Sequence, residues 1–370
     1  MLTSALPSQK GNGSCRILIA AGGTGGHLYP GIALAQEFRR VYGAEVKFIT
    51  TPKPVTLDIL RHYDFPWQIL DTPPLQGAGW RRRLQALWRL PISIWRAGRL
   101  LRQARPHLVV GMGGYISGPV GLAAKRLGIP LVIHEQNAVL GAANRYLGRL
   151  ADTIFLSFPE TEGNPAPERS VWSGNPTRPE FSEPPLEPRP DVPSTVLIMG
   201  GSQGAHHLNV QMLAALPLLA AHKRRLHFIH LCGAADLAEV ERGYLAAGTS
   251  AQVLAFSPLV RDFMHRAHVI LCRAGASTLA ELTALGRVGI LVPFPFAANR
   301  HQEKNATFAS KAGAAFLVFN QELTGEKIAG MIEKLLQNPQ QLQQMEAKSR
   351  ALGRPQAAAI IASECKKYLC

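Results

Sequence analysis

Twice along this chain a short apolar run breaks on a cluster of glycines and resumes as an apolar stretch at helical spacing. The first copy, RILIAAGGTGGHLYPGIALAQEF, runs from Arg16 to Phe38, and the second, TVLIMGGSQGAHHLN, from Thr195 to Asn209. In the first, Ile17–Ala21 suits a buried parallel strand, and Ile32, Leu34, Ala35 and Phe38 read as a helix. Between them stand Gly22, Gly23, Thr24, Gly25, Gly26 and His27. Glycines let backbone N–H groups come close to an anion, and a helix N-terminus adds unpaired donors and partial positive charge. Strand, turn and helix together make a phosphate cradle. A tight connection that holds no ligand is the plainer reading; Thr24 and His27, which would point into the space above the turn, speak against it. The second copy repeats the plan with Gly200, Gly201, Ser202 and Gly204. Two such openings about 180 residues apart predict two doubly wound, Rossmann-like α/β domains facing a cleft.

The first turn is not a dinucleotide fingerprint. Counted as G-x-G-x-x-G from Gly23, the third glycine position holds Leu28, and the next strand candidate, Glu45–Thr50, ends in hydroxyls instead of an acid. No G-K-[ST] follows the glycines either, so nicotinamide, flavin and P-loop chemistry are disfavoured. Further buried strands are expected at Leu108–Gly111, Leu131–His134, Val269–Cys272 and Gly289–Pro293, each leading into a polar turn that would reach the ligand crevice. The length of 370 residues also suits two domains. The expected division is a disordered leader over 1–15, a first domain over 16–175, a proline-rich charged linker over 176–192, a second domain over 193–350 and a terminal helix over 351–370.

The net charge of +15 calls for an anionic partner, and its distribution is uneven. From Thr72 to His134 there is no Asp or Glu, but there are ten Lys or Arg residues. Eight of those arginines lie between Leu75 and Pro106, interleaved with Trp80, Leu84, Trp88, Ile92 and Trp95 at roughly helical spacing. Pro91 is expected to divide this stretch into two short helices. Tryptophan on one side with arginine around it, Arg81 and Arg82 included, is the pattern of a helix lying in an anionic membrane interface. The alternatives are tryptophans in the core with solvated arginines, or nucleic acid, for which no recognised binding motif is present. No run of 18 apolar residues could span a membrane, and five cysteines without C-x-x-C spacing point to reduced thiols and away from zinc.

Seven segments, GGTGGHLYP, GGYISGP, HEQNAVLGAANR, GNPTRPE, GGSQGAHHLN, RAGASTLAEL and HQEKNA, occur in that order between residues 22 and 306. Together they resemble the MurG family, bacterial enzymes that add N-acetylglucosamine to a lipid-linked muramyl pentapeptide. The resemblance implies a GT-B fold, UDP-N-acetylglucosamine as donor and lipid I as acceptor. It further implies inversion at the sugar, a β-1,4 linkage, and a peripheral place on the cytoplasmic face of the inner membrane. No nucleic-acid partner is implied. A UDP-N-acetylglucosamine 2-epimerase of the same fold is the rival reading, against which stand GGYISGP, HEQNA and the tryptophan–arginine surface.

On the matching positions, His27 could act as the base toward the acceptor hydroxyl or orient phosphate, and Glu135 is the rival base or a helix-end carboxylate. Thr24, Gly25 and Gly26 would face the pyrophosphate, with Ser202 donating from the second turn and Arg178 neutralising the departing diphosphate. Asn137 resembles the family's donor-contacting asparagine, and Ser257 falls where the family often has an aliphatic residue against uracil. Ala276, Ser277 and Thr278 open the donor-side helix; Glu281 is assigned to the ribose hydroxyls, although Thr278–Glu281 also has capping-box spacing. His301 and Gln302 match the reading of donor sugar hydroxyls, while Tyr115, Ser117 and Asn144 are placed on the acceptor side. The terminal helix is expected to pack back on the first domain. No D-x-D pair occurs in the chain, so neither a protein-bound metal nor another cofactor is expected; helix N-termini, turn amides and Arg178 would stabilise the leaving diphosphate.

Overall fold

The computed structural model describes residues 15–22, 25–71, 80–183, 193–201 and 204–369, the side chains of 80–89 excepted. The first half alternates strands and helices: β1 (Arg16–Ala20), α1 (Gly25–Tyr42), β2 (Glu45–Thr50), α2 (Pro54–His62), β3 (Trp67–Ile69) and α3 (Trp80–Ala104). It continues through β4 (Leu108–Gly111), α4 (Gly114–Arg126), β5 (Leu131–Glu135), α5 (Ala142–Leu147), β6 (Thr153–Leu156) and β7 (Ser170–Trp172). These strands form a parallel sheet in the order β3-β2-β1-β4-β5-β6-β7. Both faces are covered, one by the cluster around Phe38, Phe48 and Phe65, the other by the cluster around Ile94, Leu101 and Val120. Burial on both faces is why these strands read as continuous apolar runs without alternation.

The second half repeats the plan with β8 (Ser194–Met199), α6 (His206–Ala215), β9 (Leu226–Leu231), α7 (Leu237–Ala247), β10 (Ala251–Leu254) and α8 (Val260–Arg266). Then follow β11 (Val269–Arg273), α9 (Ala276–Ala284), β12 (Gly289–Val292), α10 (His301–Lys311) and β13 (Ala315–Leu317). The six-stranded parallel sheet has the order β10-β9-β8-β11-β12-β13. Three helices finish the chain: α11 (Gly325–Gln337), α12 (Pro339–Leu352) and α13 (Ala357–Cys365).

The last of these returns to the first sheet. Ile361, Ala362, Cys365 and Leu369 join the core formed by α1 and β1, and the Tyr42 hydroxyl donates to Ala362 O at 3.0 Å. Each aliphatic side chain buried this way contributes about 1.5–3 kcal/mol, so the return is a structural clasp between the halves. The crossing itself is held by the Arg354 guanidinium, 3.7 Å from the Trp172 ring centroid, and by Ser182 Oγ donating to Pro355 O. A boundary at 350 falls inside α12, which ends at Leu352.

Two local expectations are corrected. Pro91 does not divide the arginine-rich stretch, because α3 is one 25-residue helix with Pro91 inside it. A single proline removes one i→i−4 bond, and here Pro91 is exposed while Ile94, Ala97 and Leu101 anchor the following turns in the core. The run after Gly113 is not a loop: α4 starts at Gly114, so Tyr115 and Ser117 sit in its opening turns. Likewise α1 starts at Gly25, ahead of Pro30, which puts His27 in its first turn.

Candidate active site

In doubly wound sheets ligands lie beyond the strand carboxyl ends where the strand order reverses. That point falls between β1 and β4 in the first sheet and between β8 and β11 in the second. Beyond the first pair stand the opening turn of α1, with His27, and the bend at Gly113–Gly114. Beyond the second stand Gly200, Gly201 and Gly204 and the bend leading from Arg273 into α9.

The His27 ring lies against the Gly113–Gly114 backbone. A Cβ at Gly113 would be 3.3 Å from His27 Cε1, and one at Gly114 3.5 Å from Cδ2, while both residues hold left-handed φ angles of +86° and +71°. The left-handed conformation favours glycine at both positions, and at Gly113 the approach of the ring is tight as well. Nδ1 of His27 is 2.8 Å from Gln136 Oε1. The neighbouring Glu135 is 2% exposed and fully engaged. Its Oε1 accepts from Asn137 N (3.0 Å) and Asn137 Nδ2 (3.2 Å), and its Oε2 from Gly141 N (3.0 Å) and Asn144 Nδ2 (2.9 Å). Four donors fill the lone-pair sites of a carboxylate, so Glu135 shapes the 135–144 loop and has none left for a substrate proton. Asn144 Oδ1, by contrast, is buried with no partner in the protein, and the same side chain's Nδ2 would lie 3.3 Å from a Cβ at Gly113.

Arg178 joins the two halves. Its guanidinium pairs with Glu281 on α9 at 3.2 Å and with Glu180 at 3.3 Å, and lies 5.5 Å from the Tyr29 ring centroid of α1. The side chains of Arg178 and Glu281 are 14% and 13% exposed. Burial pushes the Glu281 carboxyl up to about 7 against the pull of Arg178. For Arg178, burial opposes the charge but the Glu281 and Glu180 carboxylates outweigh it, so the guanidinium stays charged. Glu281 makes no capping box: the N-cap of α9 is Gly275, without a side-chain cap. A second seam runs through Asn305 of α10, which accepts from Ala138 N at 2.9 Å and donates to Asn137 Oδ1 at 3.2 Å. Along these seams Thr177 Oγ1, Arg178 Nε, both polar atoms of the Asn175 side chain and Ser277 Oγ are buried without partners in the protein. Left unmade, each such group costs about 1–3 kcal/mol, which makes this stretch the candidate face for a polar ligand.

Residues 17–156 match the glycosyltransferase family 28 N-terminal domain, and residues 195–361 match that family's C-terminal domain. The chain belongs to glycosyltransferase family 28. It is 42% identical, over 96% of its length and 93% of the relative's, to a UDP-N-acetylglucosamine–N-acetylmuramyl-(pentapeptide) pyrophosphoryl-undecaprenol N-acetylglucosamine transferase of Anaeromyxobacter sp. (strain Fw109-5). The crystal structure of Acinetobacter baumannii MurG superposes with a TM-score of 0.78 at 31% identity, covering 95% of this chain and 99% of that one. The protein is thus a glycosyltransferase with the GT-B fold. A UDP-N-acetylglucosamine 2-epimerase from Listeria monocytogenes also superposes, at TM-score 0.68 and 14% identity over 96% and 97% of the two chains, which shows a common fold alone.

The remaining family 28 positions sort clearly. Thr24 and Ser202 lie outside the described residues. Gly25 opens α1, where a Cβ would meet the Tyr29 ring at 3.2 Å, and Gly26 follows it. Ser117, placed on the acceptor side by resemblance, is fully buried, its Oγ 2.7 Å from Gly113 O and 3.2 Å from Ala20 O, tying α4 to β1. Tyr115 beside it is half-buried. Ser257 is buried, and its Oγ accepts from Leu259 N at 3.1 Å. Ala276, Ser277 and Thr278 form the first turn of α9. Gln302 Oε1 accepts from Phe294 N at 2.9 Å and His301 Nδ1 sits 2.7 Å from Ala298 O, so both brace the loop before α10. Sequence reasoning missed Gln136, Glu180 and Tyr29; the first was legible as the third residue of HEQN at a strand end.

Gly204 has φ +78°, and a Cβ there would lie 2.3 Å from Cys232 O. Gly204→Ala is expected to destabilise the second domain by about 2–4 kcal/mol, from left-handed strain plus overpacking, and to weaken UDP binding, read by thermal denaturation and calorimetry.

Proposed function

We propose that the chain moves N-acetylglucosamine from UDP-N-acetylglucosamine to the C4 hydroxyl of the muramyl sugar of lipid I, with inversion, forming lipid II at the cytoplasmic face of the inner membrane. The observation that carries this is the His27 imidazole, held by Gln136 at one nitrogen and lying over the Gly113–Gly114 bend at the first switch point. His27 takes the proton of the acceptor hydroxyl as its oxygen attacks the anomeric carbon. Arg178 swings from Glu281 to the diphosphate, which the turn before α6 and the N-terminus of α9 stabilise as it leaves. Glu281, released, accepts hydrogen bonds from the ribose hydroxyls. Asn144 Oδ1, buried and unpartnered, takes a hydroxyl of the acceptor sugar.

The test is incubation with labelled UDP-N-acetylglucosamine and a short-chain lipid I analogue, with chelator present. Label on the lipid is the expected result. Label kept on UDP as the N-acetylmannosamine epimer, or dependence on added divalent ion, overturns the reading.

Membrane contact is assigned to α3. Ile92 (52% exposed), Trp95 (58%) and the neighbouring Arg96 and Arg99 lie on one outward stripe, with Arg99 5.2 Å from the Trp95 ring centroid. The side chains of Trp80, Arg81, Arg82 and Trp88 lie outside the described residues. No helix among the described residues is long and apolar enough to cross a membrane. Neutralising Arg96 and Arg99 to Gln is expected to lower partitioning onto phosphatidylglycerol vesicles by about 30-fold at low salt, from about 1 kcal/mol per charge. Sedimentation against neutral phosphatidylcholine vesicles checks it.

A further inference from the structure

The hydrogen bonds behind His27 form a chain whose direction is determined at every link. His134 on β5 is fully buried, and its Nε2 is 3.1 Å from Gly174 O. A carbonyl only accepts, so Nε2 carries the hydrogen; Ser157 Oγ, at 3.5 Å, is a marginal competitor. Burial pushes His134 down to about 4, so the ring is neutral and has one hydrogen only. Its Nδ1 is therefore a bare acceptor, 3.0 Å from Gln136 Nε2. The second hydrogen of that amide goes to Met112 O at 2.9 Å. Turning the Gln136 amide over would set Oε1 against the Met112 carbonyl, oxygen on oxygen, which excludes the flipped form. Gln136 Oε1 must face His27, and an oxygen 2.8 Å from Nδ1 demands an N–H there. A neutral His27 then bears its lone pair on Nε2, the ring edge beside Gly114.

We propose that Gln136, backed by His134, is a positioning residue that holds His27 in the Nδ1–H tautomer, presenting the Nε2 lone pair to the acceptor hydroxyl. This rests on the base role assigned to His27 above. The tautomer is the functional point: with Nε2 protonated, the ring would offer the hydroxyl a donor and could not take its proton. The device differs from an imidazole–carboxylate pair. A neutral amide orients the ring without a buried charge, and the proton budget of the chain ends at a backbone carbonyl, Gly174 O, at the exit from β7.

The experiment is long-range proton–nitrogen NMR on full-length protein labelled at histidine, at a pH where imidazoles are neutral, with His27→Asn assigning the resonance. The expected wild-type spectrum shows a protonated-type shift on Nδ1 and an unprotonated type on Nε2. Gln136→Met removes the oxygen at similar volume. It is expected to lose that signature and to lower kcat by about 10- to 100-fold, as when a group orienting a reactive imidazole is removed. The KM for UDP-N-acetylglucosamine should stay within about threefold, because the amide is buried and its atoms are engaged by His27, Met112 O and His134. Gln136→Glu, taking up a proton on the oxygen that faces the Met112 carbonyl, keeps an acceptor toward Nδ1; it should retain the signature and more of kcat than Gln136→Met. A wild-type ring protonated on Nε2, or a Gln136→Met protein with signature and kcat intact, overturns the proposal, and the wild-type spectrum decides even where a variant fails to fold. Loss of the signature in Gln136→Met combined with an active His27→Ala leaves the tautomer chain standing and sinks the base assignment alone.

Discussion

His27→Ala lowers kcat by about 10²- to 10⁴-fold, the contribution of a positioned proton acceptor, while the KM for UDP-N-acetylglucosamine changes little. The ring touches Gln136 and the Gly113–Gly114 backbone, and its removal leaves the donor-side residues of the second domain in place. Glu135→Gln is the informative contrast. Its amide nitrogen would confront the N–H groups of Asn137, or those of Gly141 and Asn144, so the loop loosens and the melting temperature falls. Steady-state kinetics and thermal denaturation on the two variants separate the roles. An active His27→Ala beside a stable, inactive Glu135→Gln would falsify the assignment of the base.

Arg178→Ala is expected to lower kcat/KM by about 10²- to 10³-fold, as for a donor lost from the site of developing charge. Its effect on stability is smaller than for a typical broken buried pair, where the stranded charge costs about 3–5 kcal/mol. The reason is that Glu281 already sits at about 7 through burial, and without Arg178 it takes up a proton instead of remaining charged. Arg178→Lys recovers only part of the rate, because a point charge cannot fork between two partners as the guanidinium does between Glu180 and Glu281.

The same carboxyl predicts a pH slope. Its folded value, about 7, lies above its ordinary value of 4.5, so between these limits the native state holds a proton that the unfolded chain has released. That contribution to stability is complete below the lower limit and is lost as pH rises through the upper one. Glu281→Gln should remove the slope, read as melting temperature against pH for variant and wild type. Parallel curves would show that Glu281 titrates alike in both states.

Much of the architecture is written in local sequence. The strand expected at Glu45–Thr50 and the one at Leu108–Gly111 carry those bounds in the structure, and the repeated glycine turns mark the two first units of the two sheets. A buried parallel strand and a glycine turn declare themselves over five to ten neighbouring residues, because the preference resides in backbone sterics and in uniform burial. Strands β3, β7 and β13, of three residues each, carry too little pattern to be read. Pro91 misled for a related reason: its local preference is real, but the packing of Ile94, Ala97 and Leu101 overrides one missing bond.

The site divides the same way. HEQN and GNPTR are visible as motifs, since the residue types that handle sugars and phosphates are recognisable wherever they stand. Which member of each motif is free to react is a different matter. Glu135 and His27 are equal candidates on paper; four N–H groups converging on one carboxylate remove it, and a Gln136 oxygen 109 residues away orients the other. Arg178 meets Glu281 across 103 residues, and Asn137 meets Asn305 across 168. Saturation of donors and acceptors is a property of three-dimensional neighbours, so the chain alone could name the groups, and only the tertiary structure, within the first domain for His27 and Glu135 and between the halves for Arg178 and Glu281, gave them their partners.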